Sequence, residues 1–266
     1  MTRSSRFTNT ISAWFFPLLS AFATIAAISS PAAAQSASDS TFLDANWALT
    51  QFTAGLGGSS TAAQSLSGGN PGAFRNVTDV LNAAPLNSQT IVLSTSIYTP
   101  FTYSPVVSGA IASLNYSEDA ACTGGCFGQG QSTGPALLQG GNQYILSSSS
   151  VITGPGAAWV NHTLNGLTAV DFGLVNVTPT GLFDNTQHPN FSAGGAPIQL
   201  GFFRANGTSI NGGAYTLSAG IDNWQVTILA GAAPVAIDLP TLSQWSVAAL
   251  ALAIALIGLA WTRRMR

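Results

Sequence analysis

The sequence predicts an all-β fold, an antiparallel two-sheet β-sandwich of jelly-roll kind, set between an N-terminal signal peptide and one C-terminal transmembrane helix. Three observations carry this. Short runs rich in β-branched and aromatic residues recur through the middle of the chain, separated by Gly, Pro and Asn turns. No stretch between residues 35 and 229 keeps apolar residues at helical spacing for three turns. Both ends are apolar runs flanked by arginine, whereas the middle holds every acid.

Residues 1–34 read as a secretory signal. Arg3 and Arg6 supply the basic start, residues 11–28 the apolar run, and Pro31-Ala32-Ala33-Ala34 the small residues a signal peptidase selects, so cleavage is expected after Ala34. The following segment, 35–229, is long enough for one sandwich with a sizeable core and too short for two. After a polar stretch at 35–40, strand-like runs occupy 47–53, 74–81, 90–98, 109–116, 143–147, 159–164, 172–177, 198–204 and 221–229. Gly68-Gly69-Asn70-Pro71-Gly72 reads as a turn and Gly154-Pro155-Gly156 as a loop. Alternation gives the run 109–116 one buried face, groups Ile198 with Leu200 and Phe202, and groups Trp224 with Val226 and Ile228. Residues 230–238 form a linker, and 239–266 a separate C-terminal unit.

Charge excludes one class of partner. All basic residues are arginines, and only Arg75 and Arg204 lie between residues 35 and 238, against nine acids, a charge of −7. A surface this poor in cations cannot follow a phosphate backbone or an anionic headgroup layer, so the sandwich is expected to bind no nucleic acid. Cys122 and Cys126 flank Thr123-Gly124-Gly125. In an exported chain this spacing predicts a disulfide closing a short loop, worth ~2 kcal/mol.

No catalytic set emerges. A glycosidase needs two carboxylates across a sugar. The one glutamate, Glu118, adjoins Asp119 and reads as part of a solvated loop before the cysteines, while neighbours on a strand would point apart. His162 reads as a solvent-facing strand residue and His188 as an exposed loop residue, with no nucleophile elbow and too few ligands for zinc. The expectation is a non-enzyme without a cofactor. Calcium is the one metal left open, through Asp171, Asp184 and Asp222 among carbonyl and Asn oxygens, although Asp222 and Asn223 read more readily as a turn into the last strand.

The tail carries the sharpest motif. Leu239-Pro240-Thr241-Leu242-Ser243-Gln244-Trp245 precedes an uncharged run, 247–261, and the chain closes with Arg263, Arg264 and Arg266. The run spans ~22 Å as a helix, short of the ~30 Å hydrocarbon core until its flanks are added. Arginines at its end would stay cytoplasmic and place the sandwich on the far side. In order and position this tail resembles the IPTL-CTERM protein-sorting domain of Gram-negative bacteria, matching at Pro240, Thr241, Leu242, Ser243 and Trp245, with Leu239 replacing Ile, Gln244 replacing Glu and Ser246 replacing Gly. The resemblance implies export by the secretion machinery, an inner-membrane stage, recognition by an exosortase-like membrane transpeptidase, and delivery to the cell surface.

The middle segment is similar, more weakly, to the jelly-roll domains of such sorted proteins and of carbohydrate-binding modules, through Gly69-Asn70-Pro71-Gly72 and Ala219-Gly220-Ile221-Asp222-Asn223-Trp224. That likeness implies that the two segments meet. The functional expectation is a surface or matrix protein whose sandwich binds glycan or serves structurally. Exposed aromatic plates such as Trp159 or Tyr103 would favour glycan. The alternative is a secreted polysaccharide hydrolase acting through Glu118 or an aspartate.

Overall fold

The computed structural model describes residues 34–125, 131–147, 151–153, 158–231 and 242–265. The signal segment through residue 33, Cys126, Leu239, Pro240, Thr241 and Arg266 lie outside the described residues. The chain runs β1 (Gln35–Asp39), β2 (Trp47–Ala54), β3 (Gly58–Gly69), β4 (Gly72–Leu81), β5 (Ile91–Tyr98), α1 (Pro105–Ser108), β6 (Ile111–Gly124), β7 (Gln131–Gln139), β8 (Asn142–Leu146), β9 (Val151–Thr153), β10 (Val160–Leu167), β11 (Phe172–Thr178), β12 (Gly181–Asp184), β13 (Ile198–Gly207), β14 (Tyr215–Ala230) and α2 (Leu242–Arg264).

The strands form two antiparallel sheets, the all-β sandwich expected. The first has order β10-β6-β14-β4-β3, with β1 also on β14, and the second β12-β11-β8-β7-β13-β5-β2, with β9 on β7. Between them lies an apolar core, and Phe42, Leu200 and Phe202 are each at most 1% exposed. Burial of side chains this size contributes about 1.5–3 kcal/mol each. Trp47 is its hub: Phe42, Tyr98, Phe202 and Trp224 sit 5.6, 5.2, 5.3 and 4.9 Å from it, ring to ring. The Trp47 indole N–H donates to Asp39 at 2.9 Å, so the amphipathic ring is satisfied inside the core.

Ile198, Leu200 and Phe202 share the inner face, as do Trp224, Val226 and Ile228, all buried as the alternation predicts. The second sheet is strongly curved. β11 packs against β2 and β5 across its concave side, where Leu93, Ile97, Phe203 and Ile145 are buried. Gln143 spans the same side to reach the Thr95 hydroxyl. The concave face is thus filled by the protein's own side chains.

Several elements differ from expectation. β1 and β3 are polar strands that lack the apolar signal, and β6 runs past Tyr116 to Gly124 through two acids. Ala230 ends β14 instead of opening a linker. Among the described residues no helix is long and apolar enough to cross a membrane. The side chains described for α2 begin at Ala248, and the part from there to Arg264 spans about 25 Å at 1.5 Å per residue.

Candidate functional site: the outer face of the first sheet

Cross-strand register builds a grid of polar side chains on the solvent side of β10, β6, β14 and β1. Thr163 pairs with Ser117, Ser117 with Gln225, and Gln225 with Ser38. One row below, Asn115 pairs with Thr227 and Thr227 with Ser36; one row above, Asn161 pairs with Asp119 and Asp119 with Asp222. Residues paired across an antiparallel ladder point to the same side, so the rows form one surface. A bulge makes this possible. Register shifts between Asp222 and Gln225, and Asn223 takes φ of +49°. The extra residue turns Trp224 inward while Gln225 is exposed and Asp222, on the same side of the sheet, lies buried beneath the Asn70 segment.

Two shallow grooves cut this surface. One, of about 180 Å³, runs between Ser117, Thr163, Asn165 and Gln225. The other, of about 260 Å³, lies between Ser38, Asn223 and Gln225, so Gln225 forms a wall of both. At the upper edge stands Trp159, half-buried, its N–H donating to the Gly68 carbonyl at 3.1 Å and its ring 5.3 Å from Phe74, edge-on. The indole covers Gly220, where a Cβ would stand 2.6 Å from the Trp159 ring.

The acids at the head of the grid are held by amides. Asp119 accepts from the side-chain amides of Asn161 at 2.9 Å, Asn223 at 2.7 Å and Asn70 at 3.1 Å. Asp222 accepts from the Asn223 backbone at 2.7 Å and from the Asn70 N–H. The Asn223 amide also reaches the Asn70 carbonyl at 2.6 Å, so the two segments expected to meet do meet. Burial raises the Asp222 carboxyl above its ordinary range, and Asp119's charge adds to this against the two backbone hydrogen bonds.

Chemically the grid offers both donors and acceptors and no positive charge. Asn, Gln, Ser and Thr each do both. Arg75 and Arg204 are buried, at 2% and 0% exposure, so among its described residues the sandwich exposes no lysine or arginine.

Other residues singled out by sequence fall elsewhere. Glu118 and Asp119 are not in a solvated loop: both lie in β6, pointing apart, with Glu118 fully buried between the sheets. His162 faces inward rather than to solvent, opposite Glu118 in register, and its Nε2 is buried. Burial pulls its imidazole below the usual range, Glu118 opposing this and Arg204 adding to it. His188 is half-buried, with Nδ1 2.7 Å from the Phe172 carbonyl. Tyr103 is no plate: it is 1% exposed, its hydroxyl donating to the Ser108 and Gly109 carbonyls at 3.1 and 2.9 Å.

The three aspartates considered for calcium are not brought together. Asp171 closes a capping box with Thr168, Asp184 accepts from Thr186 and Gln187, and Asp222 sits in the grid. No cluster of three metal-ligating His, Cys, Asp or Glu side chains occurs among the described residues. Cys122 is buried at the end of β6, and its expected partner lies outside the described residues. Leu242, Ser243 and Trp245 fall in the first turns of α2, and Arg263 and Arg264 are exposed at its end.

Sequence reading missed Asn161, Asn223, Gln225, Ser117 and Thr163 as a set. The available signal was polar alternation, Ser113, Asn115, Ser117, but only register joins it to the other strands.

Comparison with known proteins adds two findings. A family model described as the IPTL-CTERM motif matches residues 239–264. No curated protein matches the chain. Among solved structures, a family 11 carbohydrate-binding module from Clostridium thermocellum, in complex with a β-1,3-1,4-mixed-linked tetrasaccharide, is similar at 10% identity. Its TM-score is 0.41, over 75% of this chain and 98% of that one. The family 11 module of the cellulosomal cellulase Lic26A-Cel5E from the same organism follows at 9% identity and TM-score 0.40, over 75% and 96%. Likeness at this level concerns the fold and says nothing of ligand.

Proposed function

We propose that this is an exported, non-catalytic surface protein whose sandwich binds an uncharged polysaccharide on the outer face of the first sheet. The IPTL-CTERM motif supports the exported surface destination. The tail would hold the protein in the inner membrane through α2 until an exosortase-like enzyme recognises the motif. Residues 1–34, 35–230, 231–238 and 239–266 are then signal, module, linker and sorting tail.

One observation carries the binding reading: the register-locked grid around Gln225, whose two grooves are lined mainly by uncharged hydrogen-bonding side chains, with Asp39 the one carboxylate in their walls. Sugar hydroxyls, each donor and acceptor, match that inventory. Trp159, fixed over Gly220, supplies an apolar plate beside it. Phosphate, sulfate or carboxylate groups would find no cation to pair with. The hydrolase alternative gains nothing from the site, because Glu118 is sealed inside and Asp119 is held by three amides.

Calorimetric titration of the full chain in detergent micelles with neutral and acidic polysaccharides tests this. Binding to a neutral polymer, lost in Gln225→Ala and Thr163→Ala variants that melt like wild type, is the expected result. Binding only to acidic polymers, or binding indifferent to both substitutions, would refute it.

A further inference from the structure

We propose that His162 is an acid-operated latch: taking up a proton there releases β10 from the first sheet and dismantles one side of the polar grid. This deepens the polysaccharide-binding reading, on which its functional consequence rests, while release of the strand itself follows from the geometry around the ring.

β10 is held lightly. It ends the strand order of its sheet and pairs with β6 alone. The ladder runs from Val160 to Leu164 and shifts register before Leu167. Leu167 is buried at one end, and Trp159 is fixed over Gly220 at the other. Between these anchors Val160, His162 and Leu164 turn inward, of which Val160 is 52% exposed and the other two are half-buried. A segment with so little buried apolar surface opens locally well before the whole domain unfolds.

The strand therefore depends on the state of one ring. His162 faces Glu118 in register, and its Nε2 is buried with no hydrogen-bond partner among the described residues. A neutral imidazole can leave an unprotonated nitrogen there at modest cost. An imidazolium cannot, because both of its nitrogens carry a proton that needs an acceptor. Glu118 is already engaged: its two oxygens accept from Tyr116, Thr133 and Arg204.

No nearby charge is left to offset a second cation. On β6, Glu118 and Tyr116 share the inward face, and Asp119 lies on the outer one. Arg204, on β13, already neutralises Glu118, and Asp79, on β4, feels the same guanidinium charge. On β14 the one charged residue, Asp222, is on the outer side. β7, β8 and β9 add only the Tyr144 phenol, because no Asp, Glu, Lys, Arg or His occurs between Asp119 and His162 in the chain. Burial accordingly holds the imidazole below its usual range, with Glu118 and Asp119 opposing this and Arg204 adding to it.

Released into water, the ring takes a proton in the ordinary range near ~6.5, and closed against the sheet it does so less readily. The closed strand is thus fully favoured above about pH 6.5. Below that, opening becomes easier by up to about tenfold per pH unit, until the closed ring is protonated as well. Opening takes two grid residues with it. Asn161, whose amide holds Asp119 at 2.9 Å, and Thr163, which walls the groove of about 180 Å³, flank His162 on β10. A neutral polysaccharide bound at neutral pH is thereby let go in acid.

Hydrogen exchange of the full chain in detergent micelles, read by mass spectrometry between about pH 7.5 and 4.5 and corrected for intrinsic exchange rates, tests the latch. Protection of residues 160–166 should be constant above about pH 6.5 and fall about tenfold or more by the acid end, while β13 keeps its protection. In His162→Gln, and in His162→Phe as a second replacement, protection of β10 should not change with pH. Melting temperatures at neutral pH check that both variants are folded. A flat wild-type profile would overturn the proposal, as would the same acid loss in both variants, which would place the titrating group elsewhere. Simultaneous loss from β10 and β13 would mean global unfolding and overturn it too. Calorimetric titration with dextran, mannan and hydroxyethylcellulose over the same range separates the latch from the binding reading. A polymer bound at neutral pH should lose affinity in acid with the wild type but not with His162→Gln. Strand release without loss of affinity would overturn the regulatory role. Absence of neutral-polymer binding at any pH would count against the binding reading, with the latch still decided by exchange.

Discussion

Glu118 and Arg204 meet 3.3 Å apart in the middle of the sandwich, each with no exposed side-chain surface. Glu118 also accepts from the Tyr116 hydroxyl at 2.6 Å and the Thr133 hydroxyl at 2.5 Å. Burial, with Glu118's charge beside it, pushes the Tyr116 phenol well above its usual range. Arg204 lies 4.9 Å from the Phe202 ring centre. A buried pair is costly to break and cheap to replace. Arg204→Met alone should lower stability by roughly 3–5 kcal/mol. Adding Glu118→Leu should restore much of it, short of wild type because Tyr116 and Thr133 lose their acceptor. Denaturant melts of the three variants check this; additive losses would contradict it.

Asp79 gives stability a pH dependence. Its carboxyl is fully buried on β4, accepts from Gln131 at 2.8 Å, and is raised to about 6, chiefly by burial and against hydrogen bonds from Ser60 and Gln131 and the charge of Arg204. The folded value exceeds the unfolded one, so the folded state holds the proton more tightly. This contribution is fully present below about pH 4 and is lost as pH rises through about 6, a change of about 3 kcal/mol. Asp79→Asn should therefore be more stable than wild type at pH 8, with the difference vanishing by pH 4. Paired thermal melts across that window measure it, and parallel curves would rule it out.

Gly220 controls the Trp159 plate. Gly220→Val should displace the indole, shift its fluorescence and lower polysaccharide affinity about tenfold or more. Gly213→Val, where a Cβ would meet nothing within 4 Å, should leave both unchanged. Unaltered binding in Gly220→Val would separate the plate from the site.

Processing of the tail is read by mass. The mature protein from its host should begin at Gln35 and end near Pro240, and Pro240→Ala should retain Arg266. A wild-type species keeping both Arg266 and the inner-membrane location would reduce the tail to a plain anchor.

The cysteines should react with a thiol reagent only after reduction. Replacing both by alanine should lower stability by ~2 kcal/mol or less, since the loop they close is short. Free thiols in the denatured, unreduced protein would exclude the pairing.

How far each feature could be read from sequence follows from what its signal depends on. β13 and the end of β14 are legible because one face is buried and the other is not, and a period of two survives in the residues themselves. β6 is misread beyond Tyr116 because its inward Glu118 is neutralised by Arg204, 86 positions away. β1 and β3 are polar throughout, held by ladders to β14 and β4 rather than by apolar content.

By itself the sequence determined the all-β class, the acidic and cation-poor composition, and the sorting motif, because composition, short-range periodicity and a contiguous motif are local properties. Tertiary structure decided which polar residues make a surface. Asn161, Asp119, Gln225 and Ser38 become neighbours only through inter-strand register and the bulge at Asn223, which depend on hydrogen bonds between distant segments. It also decided that the concave side is filled and that Tyr103, Glu118 and Arg204 are inside, since burial is a property of the packed whole.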